Sequence, residues 1–153
     1  SNSMVTPREP LDWAAAAHGL ELLHLDVRRK EDFAQSYAAL EAQRPDVLIV
    51  TSNPTTFAER FRLAEFCRKR RIATLFGWRE FMDAGGFLAL GANMQKLYEI
   101  AASQLDQLIK GVPISRIPVA TPTFDLVVDL RTAREIGVAV PAAVVGRAHK
   151  VIE

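Results

Sequence analysis

The sequence predicts an α/β fold, a three-layer, Rossmann-like lobe with a mostly parallel sheet. Three observations carry that prediction. Short apolar runs alternate with amphipathic stretches along the chain, as in βαβ units. The connections between them are short, and no internal repeat or low-complexity tract competes. The run PDVLIVTSN, residues 45–53, is almost continuously apolar before its polar end, the pattern of a strand covered on both faces in a parallel sheet.

Taken in order, Thr6-Pro7 can cap and start a helix running to about His18-Gly19, with Leu11, Ala14, Ala15 and Ala17 as its apolar face. LELLHLDV, residues 20–27, reads as a short strand. KEDFAQSYAALEAQ, residues 30–43, places Phe33, Tyr37 and Leu40 at helical spacing. After the strand near 45–53, Thr55 or Thr56 can cap a helix with Phe57, Phe61, Ala64 and Cys67 on one stripe, which core packing explains better than a ligand box does. The run Arg68-Lys69-Arg70-Arg71 fits the solvated last turn of that helix, where cations offset the macrodipole.

IATLFG, residues 72–77, is the next strand, and FGWREFMDAGGFLALGANM, residues 76–94, overlaps its end. That segment holds more aromatics and glycines than a simple connection needs. A long helix follows within residues 90–111, with Gly111 as its C-terminal cap. A proline-containing connector near 112–123, a strand FDLVVDL at 124–130, and short helices around 131–137 and 141–153 complete the chain. Right-handed crossovers bring the ends of LIVTSN and ATLFG to one sheet edge, the edge at which open α/β sheets bind ligands.

Composition bounds the function classes. The 153 residues, 49% hydrophobic and 24% charged, suffice for one buried core. Nineteen Lys and Arg against eighteen Asp and Glu leave a formal charge of +1, so no global field favours nucleic acid or an anionic membrane. One cysteine, Cys67, precludes an internal disulfide and a cysteine-based structural zinc site. No apolar run approaches the roughly 20 residues of a membrane span, and no signal segment opens the chain. Ser1-Asn2 resembles an expression scar.

The sharper chemistries find little support. Gly85-Gly86 lies in no G-x-G-x-x-G turn, and no phosphate loop occurs, which argues against a nucleotide cofactor. A magnesium-dependent phosphoacceptor needs carboxylates at strand ends, where this chain has Thr51-Ser52-Asn53. His18, His24 and His149 each have an ordinary structural use, and Cys67 on an apolar stripe behaves as a small hydrophobe. Glu80 beside Arg79 reads as a loop ion pair, and no catalytic set is expected.

Residues 77–111 and 117–153 together resemble the C-terminal part of ABC-transporter substrate-binding proteins of the tryptophan/tyrosine-binding type. The shared features are an aromatic-Arg-Glu-Phe, an Ala-Gly-Gly, a later Gly leading into a Tyr-bearing helix, and a Lys-Gly turn, preceded here by SNPTTF at residues 52–57. The likeness runs from about residue 8 to 153. It implies a type I periplasmic binding protein: two α/β lobes on a hinge closing over a small organic solute, an aromatic amino acid being one candidate, for an ABC permease. It implies a periplasmic or extracytoplasmic location, no enzymatic activity, no cofactor and no nucleic-acid partner. A ligand-sensing regulatory module on the same fold is the alternative, and an enzyme using Glu80 a more distant one.

Family members are longer, so the chain is expected to be a fragment lacking the first lobe. Residues 1–111 then form the second lobe, with 1–3 as the scar, and 112–153 the connector, strand and terminal helices returning toward the hinge or first lobe. Asn53 and Thr55 would hydrogen-bond the polar ends of a ligand, free N–H groups near Thr56 would take a carboxylate, and Phe57 or Trp78 would stack on its body. Glu80, beside Arg79, would receive an amine, and Gly86 would turn the backbone at the cleft lip. The surface exposed by a missing lobe predicts a homodimer.

Overall fold

Two of the predicted apolar runs become neighbouring parallel strands. A computed structural model describes residues 8–153. Its strands are β1 (Val47–Val50), β2 (Ala73–Phe76), β3 (Leu88–Ala92), β4 (Phe124–Asp129) and β5 (Lys150–Ile152), forming one sheet in the order β1-β2-β3-β4-β5. Only the β3–β4 pairing is antiparallel. Mixed α/β architecture with a mostly parallel sheet is therefore the class the sequence predicts. Residues 124–152 complete the same sheet as residues 47–92.

Helix α1 (Arg8–Ala17) ends before Gly19, whose φ is 66°, while the Thr6-Pro7 cap lies outside the described residues. Residues 20–27 form no strand, contrary to the expectation. A strand exists by its ladder, and β1 bonds only to β2, so Leu20, Leu22 and Leu23 stay exposed while Leu25 packs against the core. Helix α2 (Asp32–Gln43) forms as predicted and buries Phe33, Ser36 and Leu40.

The helix expected after β1 begins earlier than predicted and is broken into α3 (Pro54–Ala58) and α4 (Arg60–Lys69). Asn53, not Thr55 or Thr56, is the cap, and Pro54 occupies the first turn, where its missing N–H costs nothing. The break at Glu59 rotates the stripe: Leu63, Ala64 and Cys67 enter the core, but Phe61 is 56% exposed. At the end of α4 the basic run is engaged with acids, Arg68 with Glu135, Lys69 with Glu65 and Arg70 with Glu41.

The aromatic- and glycine-rich segment is a crossover. Parallel β2 and β3 require the chain to return down the length of the sheet, and residues 77–87 do so without a long helix. A 3-10 turn (Arg79–Phe81) drives Phe81 and Met82 into the core, where Phe81 stacks on Phe76 with centroids 4.3 Å apart. Residues 88–92, read as loop and helix start from sequence, are the central strand, and the long helix α5 (Met94–Ile109) starts only after Asn93 caps it. It ends at Gly111, φ 83°, as predicted.

Helix α6 (Leu130–Ile136) is capped by Asp129, whose carboxylate accepts from the N–H groups of Arg131 and Thr132. Helix α7 (Ala142–Val145) is followed by β5, where the sequence suggested only helix. The main core joins Leu40 of α2, Leu63, Ala64 and Cys67 of α4, and Phe76, Phe81, Ala89 and Val127. The opposite sheet face is more open. Val47 and Ile49 are each more than half exposed, so β1 is not covered on both faces as its composition suggested.

Candidate functional site

Register fixes where the predicted site residues meet. Val50 pairs with Phe76, and the Gly77 N–H donates to the Val50 oxygen at 3.0 Å, so the chain leaves β1 and β2 side by side. Asn53, Thr55, Phe57 and Trp78 consequently share one rim. Packing there is close. A Cβ on Gly77 would stand 2.3 Å from Ser52 Oγ, and one on Gly91 would stand 2.7 Å from the Gly77 oxygen. The Ser52 hydroxyl can rotate away, but the Gly77 oxygen is backbone, so position 91 is where glycine is required for this approach.

The polar half of the rim is largely committed. The Asn53 side-chain oxygen accepts from the Thr56 N–H at 2.9 Å, and the Phe57 N–H donates to the Asn53 carbonyl at 3.0 Å. Two of the N–H groups foreseen near Thr56, those of Thr56 and Phe57, are therefore already satisfied, because Asn53 caps the helix. What Asn53 keeps is its amide NH2. The Thr55 hydroxyl donates to the Arg28 carbonyl at 3.3 Å, tying the segment before α2 to the rim. Beside that tie lies a hollow of about 430 Å³ lined by His24, Asp26, Arg29 and Asp32 among others. Asp32 accepts the backbone N–H groups of Arg28 and Arg29, which hold its carboxyl below the usual range.

The aromatic half is an edge-to-face wall. Phe57 and Trp78 have centroids 5.3 Å apart at 79°, and Phe57 also meets Phe81 at 6.3 Å. Both Phe57 and Trp78 are half-buried against the core, leaving part of each ring outward. Arg60 lies over two rings, its guanidinium carbon 4.3 Å from the Phe57 centroid and 4.6 Å from that of Phe61. Its Nη1 donates to the Phe57 carbonyl at 3.0 Å.

Arg79 and Glu80 follow Trp78 in the 3-10 turn, and their side chains form no ion pair with each other among the described residues. Gly86 is not brought to this rim. It is buried two residues ahead of β3, where an added Cβ would lie 2.9 Å from the Phe76 ring and from the Phe81 oxygen. Its lack of a side chain serves the crossover. From Leu88, β3 climbs about 10 Å to Gly91, at about 3.3 Å per residue.

Sequence reasoning missed the rim's continuation. Asn93 accepts from the Lys96 N–H at 2.8 Å and donates to Asp125 Oδ2 at 2.8 Å, and His149 Nδ1 stands 3.6 Å from Asp125 Oδ1. An Asn directly before a helical pattern is a cap signal that could have located Asn93; nothing local marks Asp125 or Arg60. Cys67 is fully buried and its thiol is pushed up to about 12 by that burial, as befits a packing residue. Among the described residues no group of His, Cys, Asp and Glu could hold a metal ion, and no helix is long and apolar enough to cross a membrane.

Comparison with known proteins adds the family. A family model described as ABC transporter substrate binding protein matches residues 1–152. No curated protein matches. Solved structures do. A conserved domain protein from Vibrio cholerae O1 biovar El Tor is 21% identical, with a TM-score of 0.76 over 94% of this chain and 49% of its own. An ABC domain from Streptococcus pneumoniae in complex with L-Trp is 19% identical, with a TM-score of 0.78 over 94% and 50%. A ligand-free, open substrate-binding protein with adhesive properties from Clostridium difficile is 18% identical, with a TM-score of 0.70 over 95% and 48%. The chain thus spans about half the length of the solved structures it matches, and at these identities the likeness is one of fold.

Proposed function

The chain belongs to the ABC transporter substrate-binding protein family, and from that premise we propose that it acts as a solute-binding lobe whose rim closes on a small organic molecule. The family is defined by binding and not by catalysis, in keeping with the non-enzymatic role expected from the sequence. The solute is an aromatic amino acid or a molecule of similar build. The location is extracytoplasmic, and delivery is to an ABC permease. In this reading residues 1–111 are the second lobe of a type I binding protein, and 112–153, whose strands β4 and β5 complete that lobe's sheet, run on toward its hinge.

One observation carries the proposal: the meeting of Asn53, Thr55, Phe57 and Trp78 on one rim, with aromatic edges beside an unspent amide NH2. Such a surface offers an apolar body somewhere to lie and a polar group something to bond. Arg79 and Glu80 stand next along the chain to contact charged groups of the solute. Gly86 supports the crossover from below instead of lining the cleft.

The test is a thermal-shift screen of the two-lobed protein against amino acids and related solutes. A solute at about 100 times its dissociation constant should stabilise by about 2.7 kcal/mol. Phe57→Ala and Trp78→Ala should each weaken the effect. Absence of stabilisation by any of them, together with turnover of a substrate, would reject the reading. The comparisons lend no support to the expected homodimer, for which sedimentation velocity is the direct measurement.

A further inference from the structure

Arg60 stands beside the aromatic wall of the rim. Glu59, its neighbour in sequence, pairs with Lys30 at 3.1 Å. Arg60 itself is half-buried and forms no ion pair among the described residues. Its guanidinium carbon lies over two rings, 4.3 Å from the Phe57 centroid and 4.6 Å from that of Phe61, and one terminal nitrogen is tied to the Phe57 carbonyl. A guanidinium carries five N–H donors in one plane. One donor is spent on the Phe57 carbonyl, the two ring contacts restrict the side chain, and the other donors have no partner among the described residues. Little side-chain entropy remains to be lost on binding.

We infer that Arg60 reads the charge of the solute: its guanidinium takes a carboxylate, while Phe57 and Trp78 hold the apolar body next to it. The ligand class is then a carboxylate-bearing aromatic or apolar molecule. This rests on the solute-binding reading and goes beyond it by naming the charge recognised and the residue that recognises it. The geometry suits the task because Phe57 touches both Arg60, at 4.3 Å, and Trp78, at 5.3 Å, so one ring links the cation to the aromatic wall. A carboxylate set against such a fork forms charge-assisted, bidentate hydrogen bonds, which lysine cannot reproduce.

Two arms test it. In the first, the ¹⁵N-labelled chain is titrated with acetate while the arginine Nε–Hε resonances are followed. The Arg60 resonance should move saturably, and that of Arg116, on an exposed 3-10 turn, should only drift. An Arg60 response no different from that of Arg116 overturns the inference. In the second, calorimetry compares L-tryptophan with tryptamine, which lacks the carboxylate. Arg60→Gln should lose about tenfold for L-tryptophan, the factor equivalent to about 1.4 kcal/mol, and far less for tryptamine. Arg60→Lys should recover only part of the loss. Equal losses for both probes would mean that Arg60 merely props the rings, which also overturns the inference. Should neither probe bind the wild type, the aromatic-solute reading fails on its own account, and the acetate arm alone decides the role of Arg60.

Discussion

Gly91→Ala tests the rim's construction directly. A Cβ at position 91 would lie 2.7 Å from the Gly77 carbonyl oxygen and 3.5 Å from the Gly77 carbonyl carbon and the Trp78 Cα. The nearest of these is closer than carbon and oxygen tolerate, and it is backbone, which cannot rotate away like the tip of a side chain. Overpacking of this kind costs about 1–3 kcal/mol. Alanine recovers about 0.5–1 kcal/mol by restricting the unfolded chain. The net is a loss of up to about 2.5 kcal/mol, with a midpoint of about 1 kcal/mol, at roughly 2–4 °C in Tm per kcal/mol for a chain of this size. Relief must come from moving β3 away from Gly77–Trp78, so Trp78 should register it. Trp13 is 76% exposed, so Trp13→Phe removes the second indole at little structural cost and leaves Trp78 as the reporter. In that background Gly91→Ala should lower the urea midpoint and alter Trp78 emission in the folded baseline. A variant as stable as its parent with unchanged emission would refute the claim that the strand ends are in backbone contact.

Two further predictions concern buried groups away from the rim. Burial alone would raise the Asp129 carboxyl, but the Arg131 guanidinium and the N–H groups of Thr132 and Arg131 outweigh it and hold the group below the usual range. Its contribution to stability is therefore complete above the unfolded value of about 3.9 and is lost as pH falls through the lower folded value. Asp129→Asn should be less stable than wild type at neutral pH, with the gap between urea midpoints closing below about pH 4; a gap independent of pH would contradict this. Cys67, buried with its thiol pushed up to about 12, should resist a disulfide reagent at pH 8 in the folded protein and react promptly in denaturant. Rapid labelling of the native chain would show that α4 does not pack as described.

How much could be read in advance depended on whether a residue's role is set by its neighbours in sequence or by the other side of the fold. Leu48–Val50 and Ala73–Phe76 were legible as strands, and with them the side-by-side placement of Asn53 and Trp78, because each polar or aromatic residue follows its apolar run directly. Strand β3 was not. Leu88–Ala92 carries Gly91 in its middle, and a glycine in a short apolar run ordinarily signals a turn. Its justification, the Gly77 oxygen 2.7 Å from where a Cβ would be, belongs to a residue fourteen positions away in the chain. Gly86 failed in the opposite direction: the doublet was visible, but a hinge and a space for the Phe76 ring leave the same mark in sequence. Residues 20–27 had the composition of a strand and no partner to become one.

The same distinction explains why the charged member of the rim was overlooked. At the start of a helix an arginine is most simply solvated, and Phe61, one turn from Ala64, most simply packs inward. Breaking the helix at Glu59 changes both fates at once. It turns Phe61 out to 56% exposure and leaves its ring beside Arg60, with its centroid 4.6 Å from the guanidinium carbon. The Asn53 cap fixes where α3 begins, and the turn at Glu59 separates it from α4. The capping bond of 2.9 Å takes up the Thr56 N–H that was expected to meet an anion, while the cation beside the aromatic wall is Arg60. Sequence periodicity assumes one uninterrupted helix and cannot express that exchange; it follows only when the hydrogen bonds of the first turn are assigned one by one.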